Sequence, residues 1–327
     1  MKVFVTGAAG FIGSVVVERL VEEGHEVVGF DSLKYGHRKA VHPSAAFVEG
    51  DLRDPEIIES AFSQHGPFDA VLHLAAEAYI DESVANPGLF FDVNTSGGLV
   101  LLQAMVRHGV KRIVFSSTAA TYGEPKYIPI DEAHPKEPVN AYGESKLQFE
   151  RTLAWFHIAH GVNHVSLRYF NACGATERCG EARSKETHII PLLFDAAQGR
   201  REKFSLFGTD YETKDGTCVR DYVHVVDIAN AHLLALGKID ELGERAYNIG
   251  SGAGFTNREV IAAVEKITGK PINAVDAPRR IGDPARLLAS NELIREELGW
   301  EPAFTDVESM IRTSWQWRLA HPNGYSS

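Results

Sequence analysis

The segment Thr6-Gly7-Ala8-Ala9-Gly10-Phe11-Ile12-Gly13 decides the fold, because it joins a short β-branched run to an amphipathic one. Gly7 allows a tight turn, Gly10 lets the backbone approach a diphosphate, and Gly13 lets a helix pack closely on a strand. The free N–H groups and the positive end of that helix can then bind the diphosphate. A glycine trio alone is a weak signal, but its place at the first strand–helix junction predicts a dinucleotide-binding turn.

Outward from this turn, short apolar runs alternate with longer amphipathic ones. The predicted strands are residues 3–6, 26–30, 46–49, 70–74, 112–116 and 162–167. The predicted helices are residues 11–23, 55–64, 89–108 and 142–160. This alternation predicts an α/β fold with a doubly wound parallel sheet of the Rossmann type and helices on both faces.

The strand–helix alternation ends beyond Asn171, and glycine, proline and charged residues become more frequent through residues 174–186. We therefore predict a dinucleotide-binding Rossmann domain over residues 1–175 and a smaller C-terminal α/β substrate-binding domain over residues 176–327. The chain is expected to return to the first domain around residues 222–250.

Composition limits the classes of function. The 327 residues carry a net charge of −11, and an acidic chain without a Lys/Arg run is a poor candidate for binding nucleic acid or an anionic membrane. The apolar run at the N-terminus is too short for a signal peptide or a membrane helix. Cys173, Cys179 and Cys218 are odd in number and form no CxxC pair. We therefore predict a cytoplasmic protein without a metal site.

Asp31 ends the predicted second strand, 18 residues after Gly13. A carboxylate there hydrogen-bonds the ribose hydroxyls of NAD and repels the 2′-phosphate of NADP, so the cofactor is predicted to be NAD. The alternative is a turn-forming aspartate before Ser32. Asp51 and Leu52 follow the third strand and are candidates for the adenine end, although a solvated loop carboxylate is the other reading.

Tyr142 and Lys146 are four residues apart, on one face of a predicted helix. A phenolate base near pH 7 requires a pKa about three units below the usual value of about 10. A nearby ammonium and a positively charged nicotinamide could stabilise that anion. Ser116-Ser117-Thr118 ends the fifth predicted strand, where ligands of open parallel sheets bind. The pattern predicts that Thr118, Tyr142 and Lys146 converge on the nicotinamide, although Thr118 could instead cap a turn.

Five further motifs are more specific. They are LRYFN at 167–171, ETHIIP at 186–191, FGTDY at 207–211, DGTCVRDYVHV at 215–225 and RRIGD at 279–283. With them, the chain resembles the extended short-chain dehydrogenases and, within these, the UDP-glucose 4-epimerase family, over essentially its whole length.

The resemblance implies a homodimer joined through helices 89–108 and 142–160, with a UDP-sugar as substrate. It implies that Tyr142 is the acid/base, Thr118 a proton relay and Lys146 a ligand of the nicotinamide ribose that depresses the tyrosine pKa. The implied cofactor contacts are Gly7, Gly10, Phe11, Ile12, Gly13, Asp31, Ser32, Asp51, Leu52, Leu74, Ala75, Ala76, Asn94, Ser116, Tyr142, Lys146 and Tyr169. The implied substrate contacts are Thr118, Tyr142, Asn171, His188, Ile189, Ser205, Phe207, Arg220, Arg280, Asp283 and Leu287.

Within that set, the resemblance places Asn171 on a substrate phosphate, Phe207 against uracil, Arg220 and Arg280 on the diphosphate, and Asp283 on the uridine ribose. Two arginines for one diphosphate agree with the bidentate geometry of guanidinium groups. The implied reaction is reversible oxidation at C4 of the sugar with NAD that stays bound.

The chain departs from its relatives in places. A lysine that contacts the cofactor in some of them aligns with Ala78. The resemblance implies UDP-glucose/UDP-galactose as the substrate pair. Residues 76–83 and 117–125 are also similar to UDP-arabinose 4-epimerases, which keeps UDP-arabinose/UDP-xylose as the alternative. At Leu287 some relatives carry tyrosine, so we expect room for UDP-N-acetylglucosamine.

Two other functions share part of this pattern. A nucleotide-sugar 4,6-dehydratase resembles this chain but places an Asp-Glu pair after the threonine, where Ala119 and Ala120 stand here. A non-catalytic NAD-sensing module typically lacks the tyrosine or the lysine, and both are present.

Overall fold

The computed structural model describes residues 1–183, 185–280 and 283–325. The strands of the first half are β1 (Lys2–Thr6), β2 (Glu26–Asp31), β3 (Ala46–Glu49), β4 (Ala70–His73), β5 (Arg112–Thr118) and β6 (Asn163–Tyr169). The helices are α1 (Phe11–Glu22), α2 (Pro55–His65), α3 (Ile80–Ala85), α4 (Pro87–Phe90), α5 (Gly98–Arg107) and α6 (Ala141–His160). The predicted strands are all confirmed, with bounds that differ by two residues or fewer.

The second half has shorter elements. Its strands are β7 (Asn171–Cys173), β8 (Phe204–Phe207), β9 (Val219–His224), β10 (Glu244–Ile249), β11 (Gly254–Thr256), β12 (Ala274–Ala277) and β13 (Arg286–Leu287). Its helices are α7 (Ile189–Ala197), α8 (Val225–Leu242), α9 (Asn257–Thr268), α10 (Glu292–Leu298) and α11 (Val307–Ala320).

The main sheet has the strand order β10-β6-β5-β4-β1-β2-β3, and its strand pairs are all parallel. One hydrophobic core includes α1 and α8 on one face of the sheet, and a second includes α2, α5 and α6 on the other. The predicted doubly wound fold is therefore confirmed. The order reverses between β1 and β4, where open sheets of this kind bind ligands at the carboxyl ends of the strands.

The predicted helix 89–108 is not regular. A π-helical segment, Phe91–Gly97, separates α4 from α5, and such segments often mark functional positions. The run Pro87–Arg107 is long and apolar enough to cross a membrane by length and composition. However, Leu101, Leu102 and Met105 are fully buried in the core beneath the sheet. These contacts are those of a core helix.

The later elements build the smaller sheets. β7, β9, β11 and β13 form one sheet and β8 pairs with β12, while α7, α9 and α11 share a third core. The chain then returns to the main sheet, because β10 pairs with β6 and α8 packs on α1. The division at residue 175, with an NAD-binding part before it and a UDP-sugar-binding part after it, stays a prediction.

Candidate active site

The glycine turn forms a cradle that side chains would destroy. A Cβ on Gly13 would lie 1.9 Å from the carbonyl oxygen of Gly7, and a Cβ on Gly7 would lie 2.6 Å from the amide nitrogen of Ala75. Gly7 also has φ +71°, which favours glycine. Gly10 is the N-cap of α1 and offers no side-chain hydrogen bond, so the first N–H groups of the helix are free to meet a phosphate. The cradle fits the diphosphate of NAD.

Asp31 ends β2 and shapes the loop beside the cradle. Its carboxylate accepts hydrogen bonds from the amides of Ala9, at 3.0 Å, and Leu33, at 2.8 Å. Burial raises the pKa of Asp31, and these two N–H groups oppose that shift. Leu33 has φ 56°, an unusual conformation for leucine. Asp31 is thus fixed where a ribose was predicted, and Ser32 follows it in the same loop.

Further predicted cofactor residues lie around the same cradle. Leu74, Ala75 and Ala76 follow β4, and the backbone of the first two touches the turn at Gly7. Asn94 lies in the π-helical segment, where its amide nitrogen donates to the carbonyl of Glu77 at 3.1 Å and to Ser145 Oγ at 3.0 Å. The structure therefore gives Asn94 a positioning role, and a direct cofactor contact stays a prediction.

At the adenine end, Leu52 is buried in the core and Asp51 accepts two hydrogen bonds from the guanidinium of Arg53, at 2.7 and 3.0 Å. The Arg53 hydrogen bonds lower the pKa of Asp51, so the carboxylate is charged at neutral pH. Its contact with adenine remains a prediction.

Two elements, β5 and α6, position the predicted catalytic side chains. Thr118 ends β5, and Tyr142 and Lys146 lie in the first two turns of α6, which Asn140 caps through a 2.8 Å hydrogen bond from the amide of Gly143. Thr118 Oγ1 accepts the amide of Ala120 at 3.1 Å, so the predicted turn cap is present. The Thr118 hydroxyl also lies close enough to Tyr142 to oppose the rise of the Tyr142 pKa.

The pKa shifts of Tyr142 and Lys146 differ from those expected from the sequence. Burial raises the pKa of Tyr142, and the Thr118 hydrogen bond and the charge of Arg183 only partly oppose it. Burial lowers the pKa of Lys146 to about 7, against the raising effect of Glu150. The ammonium of Lys146 donates to the carbonyl of Ser116 at 2.8 Å. The protein alone therefore does not depress the tyrosine pKa as expected, because desolvation outweighs the nearby charges.

A buried network below the site was not predicted. The carboxylate of Glu150, one turn after Lys146, accepts from Arg168 Nη2 at 2.6 Å and Nε at 3.0 Å, and from the hydroxyl of Ser117 at 2.5 Å. Tyr169, a predicted cofactor residue, hydrogen-bonds His232 Nε2 at 2.7 Å. Arg168 in the LRYFN motif was the available signal for this network, but its partners are distant in sequence.

The predicted substrate residues line the other end of the cleft. Asn171 donates to the carbonyl of Asp221 at 2.8 Å. Arg220, on β9, forms an ion pair with Asp283. The guanidinium carbon of Arg280 lies 4.2 Å from the ring centroid of Phe207. Other predicted substrate residues also line this cleft: His188, Ile189, Ser205 and Leu287. Ile281 and Gly282 of the RRIGD motif lie outside the described residues.

One cleft of about 540 Å³ has Ile12 of the cradle, Thr118, Tyr142 and Phe207 all in its lining. That volume is typical of small-ligand sites. Residues that the sequence did not single out also line it, among them Tyr79, Glu181, Arg183 and Lys185. A single sequence gives no periodic signal for aromatic and charged residues of this kind.

One group of possible metal ligands borders the cleft. Atoms of Glu181, Glu186 and His188 lie within 4.8 Å of one another. Glu181 already accepts from His188 Nδ1 at 2.6 Å and pairs with Arg183 at 3.0 Å. Cationic side chains thus neutralise this carboxylate, and the prediction of no metal stays a prediction.

Comparisons with known proteins agree with this geometry. Residues 3–250 match the NAD dependent epimerase/dehydratase family. A UDP-glucose 4-epimerase of Streptococcus mutans is 50% identical, over 99% of both chains. The UDP-glucose 4-epimerase of Bifidobacterium longum, solved with NAD+ and UDP, is 37% identical with a TM-score of 0.94, over 99% of this chain and 100% of that one.

A third relative has a broader name. The UDP-Glc/GlcNAc 4-epimerase of Campylobacter jejuni is 36% identical with a TM-score of 0.86, over 98% of this chain and 99% of that one. The fold, the glycine cradle, the Tyr142–Lys146 helix and these similarities agree. The chain therefore belongs to the NAD dependent epimerase/dehydratase family and, within it, to the UDP-glucose 4-epimerases.

Proposed function

We propose that the protein is an NAD-dependent isomerase that interconverts UDP-glucose and UDP-galactose. The observation that carries this proposal is that Thr118 and Tyr142 line one cleft with Ile12 of the glycine turn, while Lys146 follows Tyr142 by one turn of α6. The names of the relatives support the substrate pair. The test is conversion of UDP-galactose by the purified protein with no added cofactor, and a protein without turnover would contradict the proposal.

The chain's own residues divide the chemistry at C4 of the sugar. When bound, NAD supplies a reversible hydride acceptor and a positive charge beside Tyr142. Tyr142 takes the proton of the 4′-hydroxyl, directly or through the hydroxyl of Thr118, and returns it after the sugar has turned. Lys146 binds the nicotinamide ribose. A nearby positive charge favours the phenolate, which offsets the burial that raises the pKa of Tyr142.

The nucleotide end anchors the substrate while the sugar turns. Arg220 and Arg280 bind the diphosphate, Phe207 packs against uracil, Asp283 binds the uridine ribose, and Asn171 contacts a phosphate. Charge-assisted guanidinium contacts are among the stronger hydrogen bonds in proteins. A firm hold on UDP and a weak hold on the sugar permit the 4-keto sugar to expose its other face without leaving.

N-acetylated substrates form a second candidate class. Leu287 is half-buried beside Ala119, Tyr122 and Phe170, and it lines the same cleft as Tyr142. Leucine leaves more space than tyrosine at this position. A relative named a UDP-Glc/GlcNAc 4-epimerase supports this extension. A panel of UDP-sugars, with UDP-arabinose included, tests which 4-epimer pairs are converted.

The protein is further proposed to be a cytoplasmic homodimer. Trp155 and Ile158 lie three residues apart on α6 and are 69% and 70% exposed, and Leu99 on α5 is 38% exposed. These apolar side chains lie in the two helices predicted to join the subunits. Sedimentation should give a dimer, and Trp155→Glu should shift it to monomer. A wild type that is only monomeric would contradict this. The three free cysteines support a reducing compartment.

A further inference from the structure

The loops that follow β2 and β4 meet above the glycine turn. β1 lies between β4 and β2 in the sheet, so the turn after β1 is flanked by these two loops. Strands two places apart are separated by roughly 10 Å. A dinucleotide that runs from Asp31 to Tyr142 must pass between them. Any side-chain contact between the loops therefore spans the path of the cofactor.

Two such contacts exist. The ammonium of Lys34, in the β2 loop, forms an ion pair with Glu77 Oε1, in the β4 loop. One residue beyond Lys34 and two residues beyond Glu77, the rings of Tyr35 and Tyr79 meet edge to face, with centroids 5.2 Å apart. The ammonium of Lys34 also lies 4.7 Å from the centroid of the Tyr35 ring. Together they form a bridge of four side chains.

The surroundings of Glu77 favour a cation beside its carboxylate, between the two loops. Its side chain is only 5% exposed, whereas that of Lys34 is 46% exposed. Asn94 fixes the Glu77 backbone, accepting its amide at 2.8 Å. The second carboxylate oxygen, Oε2, is buried without a hydrogen-bond partner in the described structure. A buried carboxylate is costly unless it is paired, so the ion pair keeps Lys34 across the cleft. Partial burial acts to lower the pKa of Lys34, but the hydrogen bond to Glu77 helps to raise it, and the net result is a raised pKa.

We propose that Lys34–Glu77 and Tyr35–Tyr79 form a clasp that closes over bound NAD and slows its release. The clasp rests on the proposed function, since only an enzyme that regenerates its NAD at each turnover gains from keeping it. It also gives the chain a cation near the cofactor, although Ala78 takes the place of the lysine that some relatives use. Lys34 and Glu77 are positioning residues in this account.

The test measures cofactor exchange rather than turnover. The holoenzyme is loaded with radiolabelled NAD, and loss of label against excess unlabelled NAD is followed. Lys34→Met and Glu77→Gln should each exchange at least about tenfold faster than wild type. The double variant should exchange no faster than the faster single one, because both changes remove one ion pair. Lys34→Arg should restore slow exchange.

Lys2→Met is the matched control. Lys2 forms a 2.8 Å ion pair with Glu26 at the amino ends of β1 and β2, away from the cofactor edge, and its loss should leave exchange unchanged. Wild-type or slower exchange in Lys34→Met would overturn the clasp, slower exchange meaning that the ion pair obstructs the cofactor. A wild type that binds no NAD would instead overturn the proposed function, and the clasp with it.

Discussion

The two ends of the candidate site offer different groups to charged ligands. At the cofactor end, the predicted contacts are backbone N–H groups around Gly7, Gly10 and Gly13, where there is no room for even one added carbon at Gly13. At the substrate end, the predicted contacts are long side chains. Arg220 is held by Asp283, and Arg280 lies over Phe207.

This difference suits a cofactor that stays bound at one end and a substrate that exchanges at the other. A backbone cradle needs no rearrangement when the diphosphate of NAD arrives. At the substrate end, a diphosphate bound as proposed would compete with Asp283 for Arg220, so part of the binding free energy would offset the loss of an ion pair. A cofactor that is regenerated at each turnover suits the first arrangement, and a substrate that must leave suits the second.

Removing the catalytic phenol should have the largest effect. Tyr142→Phe should fold and retain NAD, but lose roughly 100- to 10,000-fold in turnover, the usual contribution of a positioned acid/base. Steady-state kinetics with UDP-galactose measure this. Tyr127→Phe is the control, because Tyr127 is exposed and its hydroxyl donates to Asp131 on the surface, away from Tyr142. Near wild-type turnover in Tyr142→Phe would refute the assignment.

A methyl group added to the glycine turn should prevent the cofactor end from binding NAD. Gly13→Ala would place a carbon 1.9 Å from a carbonyl oxygen, so the cradle must distort and the purified protein should lose its NAD. The NAD content after denaturation measures this. Gly237→Ala is the control, since its Cβ would meet nothing within 4 Å, and it should keep NAD. Full NAD occupancy in Gly13→Ala would show that the cradle is adaptable.

A change at the substrate end should be milder. Arg220→Met removes charge-assisted hydrogen bonds of about 1.5–3 kcal/mol, so KM for UDP-galactose should rise roughly 10- to 150-fold while kcat changes less. Arg258→Met removes an exposed arginine that pairs with Asp276 and should leave KM unchanged. An unaltered KM in Arg220→Met would mean that the Asp283 pair is structural and the diphosphate binds elsewhere.

Features formed by residues close together in the sequence could be predicted, whereas contacts between residues far apart in the sequence could not. The glycine turn, Asp31 and the Tyr142–Lys146 pair are local patterns, so the sheet was predictable and the candidate cofactor residues could be named. Glu150–Arg168 and Lys34–Glu77 join residues far apart in the chain, and a single sequence carries no signal for such pairs. The interruption by the π-helical segment was also missed, because its residues keep a helical pattern. Burial decides the pKa values of Tyr142 and Lys146, and sequence spacing does not report burial.

The smallest expected effect concerns sugar size. Wild type should convert UDP-N-acetylglucosamine as well as UDP-glucose, because Leu287 leaves space near the C2 substituent. Leu287→Tyr should overpack that space at a cost of about 1–3 kcal/mol, which suppresses the acetylated substrate about 5- to 150-fold and spares the plain one. The kcat/KM ratio of the two sugars measures this. Equal loss of both activities, or no wild-type turnover of the acetylated sugar, would contradict this role of Leu287.

The central claim is transient oxidation at C4 by NAD that never leaves the protein. The most direct measurement uses UDP-galactose labelled with deuterium at C4, purified protein and no added cofactor, in ordinary water. The account predicts UDP-glucose that retains deuterium at C4, because the hydrogen is removed and returned within one closed site. Replacement of the label by solvent hydrogen, or a requirement for free NAD in every turnover, would contradict it.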